Sequence, residues 1–170
     1  VNVKKNILFI AVDDLRPEMG CYGQSQIISP NIDNLADEGV LFQHAYCQVP
    51  VCGASRASLL TGIRPTRHRY VTYYTKADEE VPGVISLPEY FKNNGYHTIS
   101  LGKIFHHGDD CPESWSEPEW RPSWRSYVTK EAEEIMNSPE NISEWGWKIG
   151  PAYEAGDVHD TAYSDGKTTV

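Results

Sequence analysis

Short apolar runs alternate with amphipathic segments over the first two thirds of the chain. Residues 6–12 are almost wholly apolar, which is typical of a parallel strand buried on both faces of a sheet. Residues 41–46 and 96–101 form two further runs that fit strands. The alternation predicts an α/β unit built on a parallel sheet.

Helices are predicted from capping residues and from apolar side chains at helical spacing. The predicted helices are residues 29–39, with Pro30 at the first helical position and Gly39 as the stop; residues 55–60, closing near Gly62; and residues 86–94, ending at Gly95. A further helix is expected to begin near Ser164. Because open α/β sheets bind ligands beyond the carboxyl ends of their strands, we expect functional residues in the loops after these strands.

Charge is unevenly placed along the 170 residues. Residues 1–108 carry 10 basic and 10 acidic side chains, whereas residues 109–170 carry 5 and 14 and account for the whole formal net charge of −9. This balance argues against a nucleic-acid-binding protein held by a basic face. The final third also contains all 5 tryptophans, and we interpret it as an acidic, loop-rich insertion anchored by aromatic side chains.

Composition excludes two further classes of protein. No apolar run approaches the ~20 residues that a membrane-spanning helix needs, so no membrane span is expected. The 4 cysteines are too few for a disulfide scaffold at this length and include no C-x-x-C pair. The length is that of one compact folded domain.

Asp13 and Asp14 directly follow the first predicted strand. Adjacent residues of a strand point to opposite faces, so both carboxylates reach one site only if the backbone bends where the strand ends. A hard cation such as Ca²⁺ or Mg²⁺ binds carboxylate oxygens and would account for such a bend. The alternative is an ordinary solvated loop, and the two aspartates alone do not decide between them.

Cys52 stands just before a predicted helix, and Arg56 lies one turn into it. Free amide groups and the helix dipole favour an anion or a thiolate at such a position. Arg56 can then act as a clamp that is always charged. A structural cysteine beside a helix cap is the alternative.

A loop with one lysine and two histidines follows the third predicted strand. Lys103 offers a point charge for an anionic oxygen, and His106 or His107 offers a group that exchanges a proton near neutral pH. Exposed, idle histidines are the alternative. Zinc is disfavoured, because the chain lacks a tetrahedral spacing of Cys and His ligands.

Three segments together resemble the type I sulfatases of the alkaline-phosphatase superfamily. They read VDDLRPEMGCYG with SPNIDNLA, then PVCGASRASLLTGIRP, then LPEYFKNNGYHTISLGKIFHHG, and they cover nearly all of residues 6–108 in the family order. The loop G-K-I-F-H also resembles the iduronate-2-sulfatase branch, where one more residue separates lysine from histidine than in many sulfatases. The resemblance implies an alkaline-phosphatase-like α/β fold, with a mixed, mostly parallel sheet flanked by helices.

The resemblance also implies a role for each candidate residue. Cys52 would be oxidised to formylglycine, whose hydrate attacks the sulfur of a sulfate ester. Asp13, Asp14 and the modified Cys52 match metal ligands, with Ca²⁺ favoured and Mg²⁺ second. Arg56 matches the residue that orients the hydrate, and Lys103 matches a residue that contacts hydrate and sulfate. His106 matches the histidine that helps the sulfated intermediate to collapse, and His107 takes that place if the register is shifted.

The cysteine motif departs from the commonest family pattern. Ala54 stands where C-x-P-S-R motifs have proline, and Ile63 follows Gly62 where the family often has arginine. The C-x-A-x-R form resembles one accepted by an anaerobic, radical-SAM type of maturase. We therefore expect a bacterial protein that needs such a formylglycine-generating maturase, and a periplasmic or secreted location.

The chain is much shorter than the sulfatases it resembles. Ca²⁺ takes ~6–8 oxygen ligands, more than two aspartates and a modified cysteine supply, and the later family motifs find no match after His107. We expect residues 1–108 to be the amino-terminal part of a catalytic domain. Residues 109–170 would be an insertion and the start of the next element of the same domain, with the remaining C-terminal part absent from this sequence.

The predicted reaction is the hydrolysis of sulfate esters. The iduronate-2-sulfatase-like loop suggests 2-O-sulfated uronic acid in fragments of heparin, heparan sulfate or dermatan sulfate, and hence a role in glycosaminoglycan degradation. Two alternatives stand: a phosphonate or phosphate monoester hydrolase of the same superfamily, and a noncatalytic carbohydrate-binding descendant. The presence of Cys52, Arg56, Lys103 and His106 argues against the descendant.

Overall fold

A computed structural model describes residues 4–123, 127–144 and 146–169. The α-helices in these ranges are α1 (Pro30–Glu38), α2 (Cys52–Thr61), α3 (Ala77–Glu80), α4 (Leu87–Asn93), α5 (Lys130–Asn137) and α6 (Ser164–Thr169). Short 3-10 helices lie at Gly20–Tyr22 and Pro112–Ser114. Trp124 and Trp145, two of the tryptophans in the predicted insertion, lie outside the described residues.

The helices predicted between the apolar runs are confirmed. In α1, Pro30 is the first helical residue. A left-handed Gly62, with φ of 69°, ends α2. In α4, Ser86 and Glu89 form a capping box that satisfies backbone amides at the helix start. The predicted start of α2 is too late, because the helix already begins at Cys52.

The final third holds more helix than its composition suggests. We interpret residues 109–170 as loop-rich, and α6 begins at Ser164 as expected. Helix α5 is not predicted, although the Thr129 hydroxyl caps it by accepting a hydrogen bond from the Ala132 amide. Three glutamates among its eight residues give it the composition of a solvated acidic loop, and Ala132 is the residue of this helix that is buried.

The predicted strands do not form ladders in the described ranges. Only isolated bridges occur there, of which Leu101 with Trp120 is parallel. In the run 6–12, Leu8 and Ile10 are 85% and 69% exposed. A strand is stabilised by hydrogen bonds to its neighbours and by packing on both faces, and among the described residues this run shows neither. The alkaline-phosphatase-like sheet therefore stays a prediction.

The buried core gathers around α2. Ala54, Ala57 and Leu60 of this helix are at most 3% exposed, and they cluster with Tyr70 and Phe105. Burial of these side chains anchors the helix that begins at Cys52. Among the described residues, no helix is long and apolar enough to cross a membrane.

Gly53 is packed against the backbone of Tyr73. A Cβ atom added to Gly53 would lie 2.8 Å from the Tyr73 carbonyl carbon and closer still to its oxygen. We expect Gly53→Ala to lower the free energy of unfolding by about 3 kcal/mol, because neither backbone can move without disturbing the core. Chemical denaturation of the full-length protein measures this loss.

Gly62→Ala is the matched control for that substitution. No neighbouring atom lies within 4 Å of an added Cβ at Gly62, so only the left-handed backbone opposes alanine there. The expected loss is about 1 kcal/mol. Equal losses for the two variants would contradict the packing argument for Gly53.

Candidate active site

Asp13 and Asp14 lie at a sharp change in backbone direction. Asp14 has a φ of 54°, in the left-handed region that side chains other than glycine seldom adopt. A backbone bend is therefore present where the first predicted strand is expected to end, whereas a metal site shared by Asp13 and Asp14 stays a prediction. The Asp14 side chain is exposed, and it has no hydrogen-bond partner within the described ranges.

Arg56 joins the first segment to the third. It lies one turn after Cys52 in α2, so both side chains share a helix face. Its side chain is only 8% exposed, and Nη2 contacts Asp13 Oδ1 at 3.2 Å. Its Nη1 donates to the carbonyl oxygens of Lys103 at 2.6 Å and Ile104 at 2.8 Å. A buried guanidinium needs such partners, and their geometry brings three distant segments together.

Lys103 completes the cationic surroundings of Asp13. Its ammonium donates to Asp13 Oδ2 at 2.6 Å, so each carboxylate oxygen faces a different cation. Partial burial raises the pKa of Asp13, but the hydrogen bonds from Lys103 and Arg56 outweigh burial and hold this pKa below its ordinary value. Asp13 is consequently ionised at neutral pH.

The two histidines have different surroundings. Partial burial, together with the positive charge of Lys103, lowers the pKa of His106. Its Nδ1 atom is buried and has no hydrogen-bond partner in the part of the chain that the structure describes. His107 instead contacts the carbonyl oxygen of Tyr73 through Nε2 at 3.1 Å. His106 is therefore a neutral imidazole at neutral pH and lies close to the charged Lys103.

Cys52 is the first residue of α2 and is partly buried with a free thiol. Val51, the cap residue, offers no side-chain hydrogen bond, which leaves amides of the first turn available to an anion. Close packing of Gly53 on Tyr73 places this helix end beside the carbonyl that His107 contacts. The helix start and the histidine loop thus meet at Tyr73.

A second group of acidic and thiol side chains lies elsewhere. Ligand atoms of Asp78, Asp110 and Cys111 lie within 4.8 Å of one another. Asp110 accepts from the backbone amides of Ala77 and Asp78 at 2.9 and 3.4 Å, and Asp78 accepts from the Cys111 amide at 3.2 Å. Burial raises the pKa of both Asp110 and the Cys111 thiol. These contacts connect the start of α3 to Cys111, so we interpret this group as one that holds the two segments together.

Two residues near the site escape sequence reasoning. The Tyr73 ring meets the His106 ring edge-on at a centroid distance of 6.1 Å. Arg121 donates to the carbonyl oxygens of Phe105 and His106. Neither residue belongs to a sequence motif with a recognised chemical role. Arg121 also lies in the acidic final third, whose composition does not suggest a role in the candidate active site. Only the folded chain places them here.

Comparisons of the sequence with known proteins identify similar chains. A family profile described as Sulfatase matches residues 5–119. Iduronate 2-sulfatase of Mus musculus is 48% identical over 128 residues, which are 72% of this chain and 23% of that protein. A sulfatase of Formosa agariphila is 46% identical over 110 residues, 61% of this chain and 22% of that protein.

A relative of lower identity matches as well. Arylsulfatase of Clostridium perfringens is 40% identical over 103 residues, 60% of this chain and 21% of that protein. The chain spans less than a quarter of the length of each of these relatives. Because the profile covers Asp13, Arg56, Lys103 and His106 and more than half of the sequence, the chain belongs to the sulfatase family.

Proposed function

We propose that this chain is the amino-terminal part of the catalytic domain of a sulfatase that hydrolyses sulfate esters. The observation that carries the proposal is the contact of Arg56 with both Asp13 and the Lys103 backbone, since it joins the three segments in one place. Two cations beside a neutral imidazole suit an anionic ester that must exchange protons. Family membership implies an alkaline-phosphatase-like α/β fold, and we propose that its sheet forms with the remaining C-terminal part.

The proposed nucleophile is Cys52 after oxidation to formylglycine. One hydroxyl oxygen of its hydrate forms a bond to sulfur as the bond from sulfur to the ester oxygen breaks, and the alcohol leaves with a proton. A proton then leaves the second hydroxyl, the aldehyde re-forms, and sulfate departs. Water adds to the aldehyde to restore the hydrate.

Side chains of this site are proposed to stabilise charge and to transfer a proton during these steps. Arg56 and Lys103 stabilise negative charge as it develops on the sulfuryl oxygens. The lowered pKa of His106 and the nearby positive charge of Lys103 support the role of His106 in accepting the proton from the second hydroxyl. Each role is a proposal that rests on the contacts among these residues.

Sulfatases typically use a divalent metal, and we propose Ca²⁺, with Mg²⁺ second. Asp13 and Asp14 offer hard carboxylate oxygens next to a backbone bend, and such oxygens are the ligands that these ions prefer. Two aspartates with the modified Cys52 fall short of the ~6–8 oxygens that Ca²⁺ takes, so we propose that the C-terminal part supplies the others. When bound, the ion would act as a Lewis acid toward the sulfate ester.

Maturation and location follow from the same proposal. We propose that a radical-SAM type of maturase oxidises Cys52, because Ala54 occupies the position of the usual proline. A periplasmic or secreted bacterial protein remains our prediction. The proposed substrate is a saccharide that carries 2-O-sulfated uronic acid, from heparin, heparan sulfate or dermatan sulfate, which the similarity to iduronate 2-sulfatase supports.

A substrate panel tests the proposed function. The full-length protein, co-expressed with a radical-SAM maturase, is offered an aryl sulfate, an aryl phosphonate and a heparin disaccharide with 2-O-sulfated uronic acid. We expect release of sulfate from the aryl sulfate and the disaccharide, measured by ion chromatography. Preference for the phosphonate would indicate a phosphonate hydrolase, and disaccharide binding without turnover would indicate a carbohydrate-binding protein.

His106 sets a testable pH dependence. A lowered pKa keeps the imidazole neutral to a lower pH than usual, so we expect the acidic limb of kcat against pH to lie below about 6.5. His106→Gln should lower kcat by about a hundredfold and accumulate sulfated protein, seen as added SO₃ on the Cys52 peptide by mass spectrometry. His107→Gln is the matched variant, and a larger loss there would assign the proton transfer to His107.

A further inference from the structure

Residues 103–106 form a loop whose four carbonyl oxygens all accept hydrogen bonds from two arginines. Arg56 Nη1 donates to the first two, at 2.6 and 2.8 Å. Arg121 donates to the last two, from Nη2 at 2.9 Å and from Nη1 at 3.2 Å. The backbone between the candidate side chains of Lys103 and His106 is therefore held along its whole length by guanidinium groups.

Glu119 orients Arg121. Its carboxylate accepts from Arg121 Nε at 3.0 Å and from Nη2 at 3.2 Å. The Glu119 side chain is only 8% exposed, and its Oε1 also accepts from the Ser100 hydroxyl at 2.9 Å. A carboxylate held on both sides fixes the plane of the guanidinium, which can then direct two N–H groups at adjacent carbonyls.

Backbone pairing delivers Arg121 to the loop. Trp120 donates to the Ser100 carbonyl oxygen at 3.1 Å, and Gly102 donates to the Trp120 carbonyl oxygen at 2.8 Å. These bonds set residues 98–102 and 116–120 side by side in the parallel sense, as the Leu101 bridge to Trp120 shows. Arg121 is the next residue after this pairing, so its side chain reaches across to residues 103–106.

We propose that Arg121 is a positioning residue for sulfate-ester hydrolysis, with Glu119 as its support; this inference rests on the proposed function. Carbonyl groups in a segment without regular structure need donors, and one planar guanidinium satisfies two of them together. Without Arg121, the carbonyl oxygens of Phe105 and His106 lose the hydrogen bonds that it donates. Misplacement of a reacting group by about 1 Å costs on the order of a hundredfold in rate.

The test compares three variants of the matured full-length protein: Arg121→Met, Arg121→Lys and, as control, Arg67→Met at an exposed arginine. We expect Arg121→Met to lower kcat by about 10-fold to 100-fold with KM within about threefold. Arg121→Lys should recover only part of this loss, because one ammonium cannot hold both carbonyls in the same geometry. The Arg67→Met variant should match the parent.

Hydrogen–deuterium exchange provides a readout that does not depend on turnover. Peptides covering residues 102–108 should exchange faster in Arg121→Met, whereas peptides covering α1 should keep their protection. An unchanged kcat, unchanged exchange at residues 102–108, or loss of protection throughout the protein would overturn the positioning role. If the parent protein releases no sulfate, the proposed function fails, and the exchange comparison alone then decides whether Arg121 holds the loop.

Discussion

Cys52→Ala is expected to lower sulfate release by at least about 10⁴-fold. Alanine lacks the thiol group that the proposed oxidation of Cβ to an aldehyde requires, and loss of a covalent nucleophile removes the reaction pathway rather than one contact within it. Because Cys52 is partly buried at the start of α2, alanine should leave the fold intact. Initial rates with the aryl sulfate and the disaccharide measure the effect.

Cys47→Ala is the matched control, since Cys47 is an exposed free cysteine outside α2. We expect it to retain the parent rate. Mass spectrometry of the peptide that contains Cys52 gives an independent measurement: active protein should carry the aldehyde there, and protein made without a radical-SAM maturase should carry the thiol. An unmodified Cys52 in fully active protein would rule out the formylglycine proposal.

Arg56→Met is expected to lower kcat/KM by about a thousandfold. The variant removes the group that orients the proposed hydrate, and it leaves Asp13 with Lys103 as its remaining cation. It also removes the hydrogen-bond donor to the carbonyl oxygens of Lys103 and Ile104. We therefore expect a fall of about 2 kcal/mol or more in the free energy of unfolding, measured by chemical denaturation.

Arg56→Lys separates charge from geometry. Lysine keeps the positive charge but cannot reach Asp13 and both carbonyls with a planar fork, so we expect recovery of stability to exceed recovery of kcat/KM. Arg67→Met again serves as the exposed control. A fully active Arg56→Lys variant would show that charge alone is required and would contradict the clamp.

Local signals made much of this chain predictable. Pro30 at the start of α1, the left-handed Gly62 after α2 and the capping box of α4 identify these helices, because such signals act within a few residues of a helix end. The short charged helices α3 and α5 are missed, since their composition is that of a solvated loop. Prediction therefore succeeds where the determining contacts are close in sequence.

The sheet shows what local sequence patterns fail to predict. Residues 6–12 have the apolar character of a buried strand, yet a strand exists only with neighbours to accept and donate its hydrogen bonds. Leu8 and Ile10 are largely exposed in the structure, so the apolar pattern is present without the ladder it predicts. Propensity is a property of the segment, whereas pairing is a property of the assembled domain.

By itself, the sequence determined the family, the order of the three segments, and Cys52, Arg56, Lys103 and His106 as candidates, because residue types at fixed spacing carry that chemistry. Only the tertiary structure decided that Arg56 reaches Asp13 and the loop carbonyls, and that Arg121 holds the other half of the loop. These contacts join residues far apart in the chain. Their energy depends on distance and direction after folding, which no local pattern encodes.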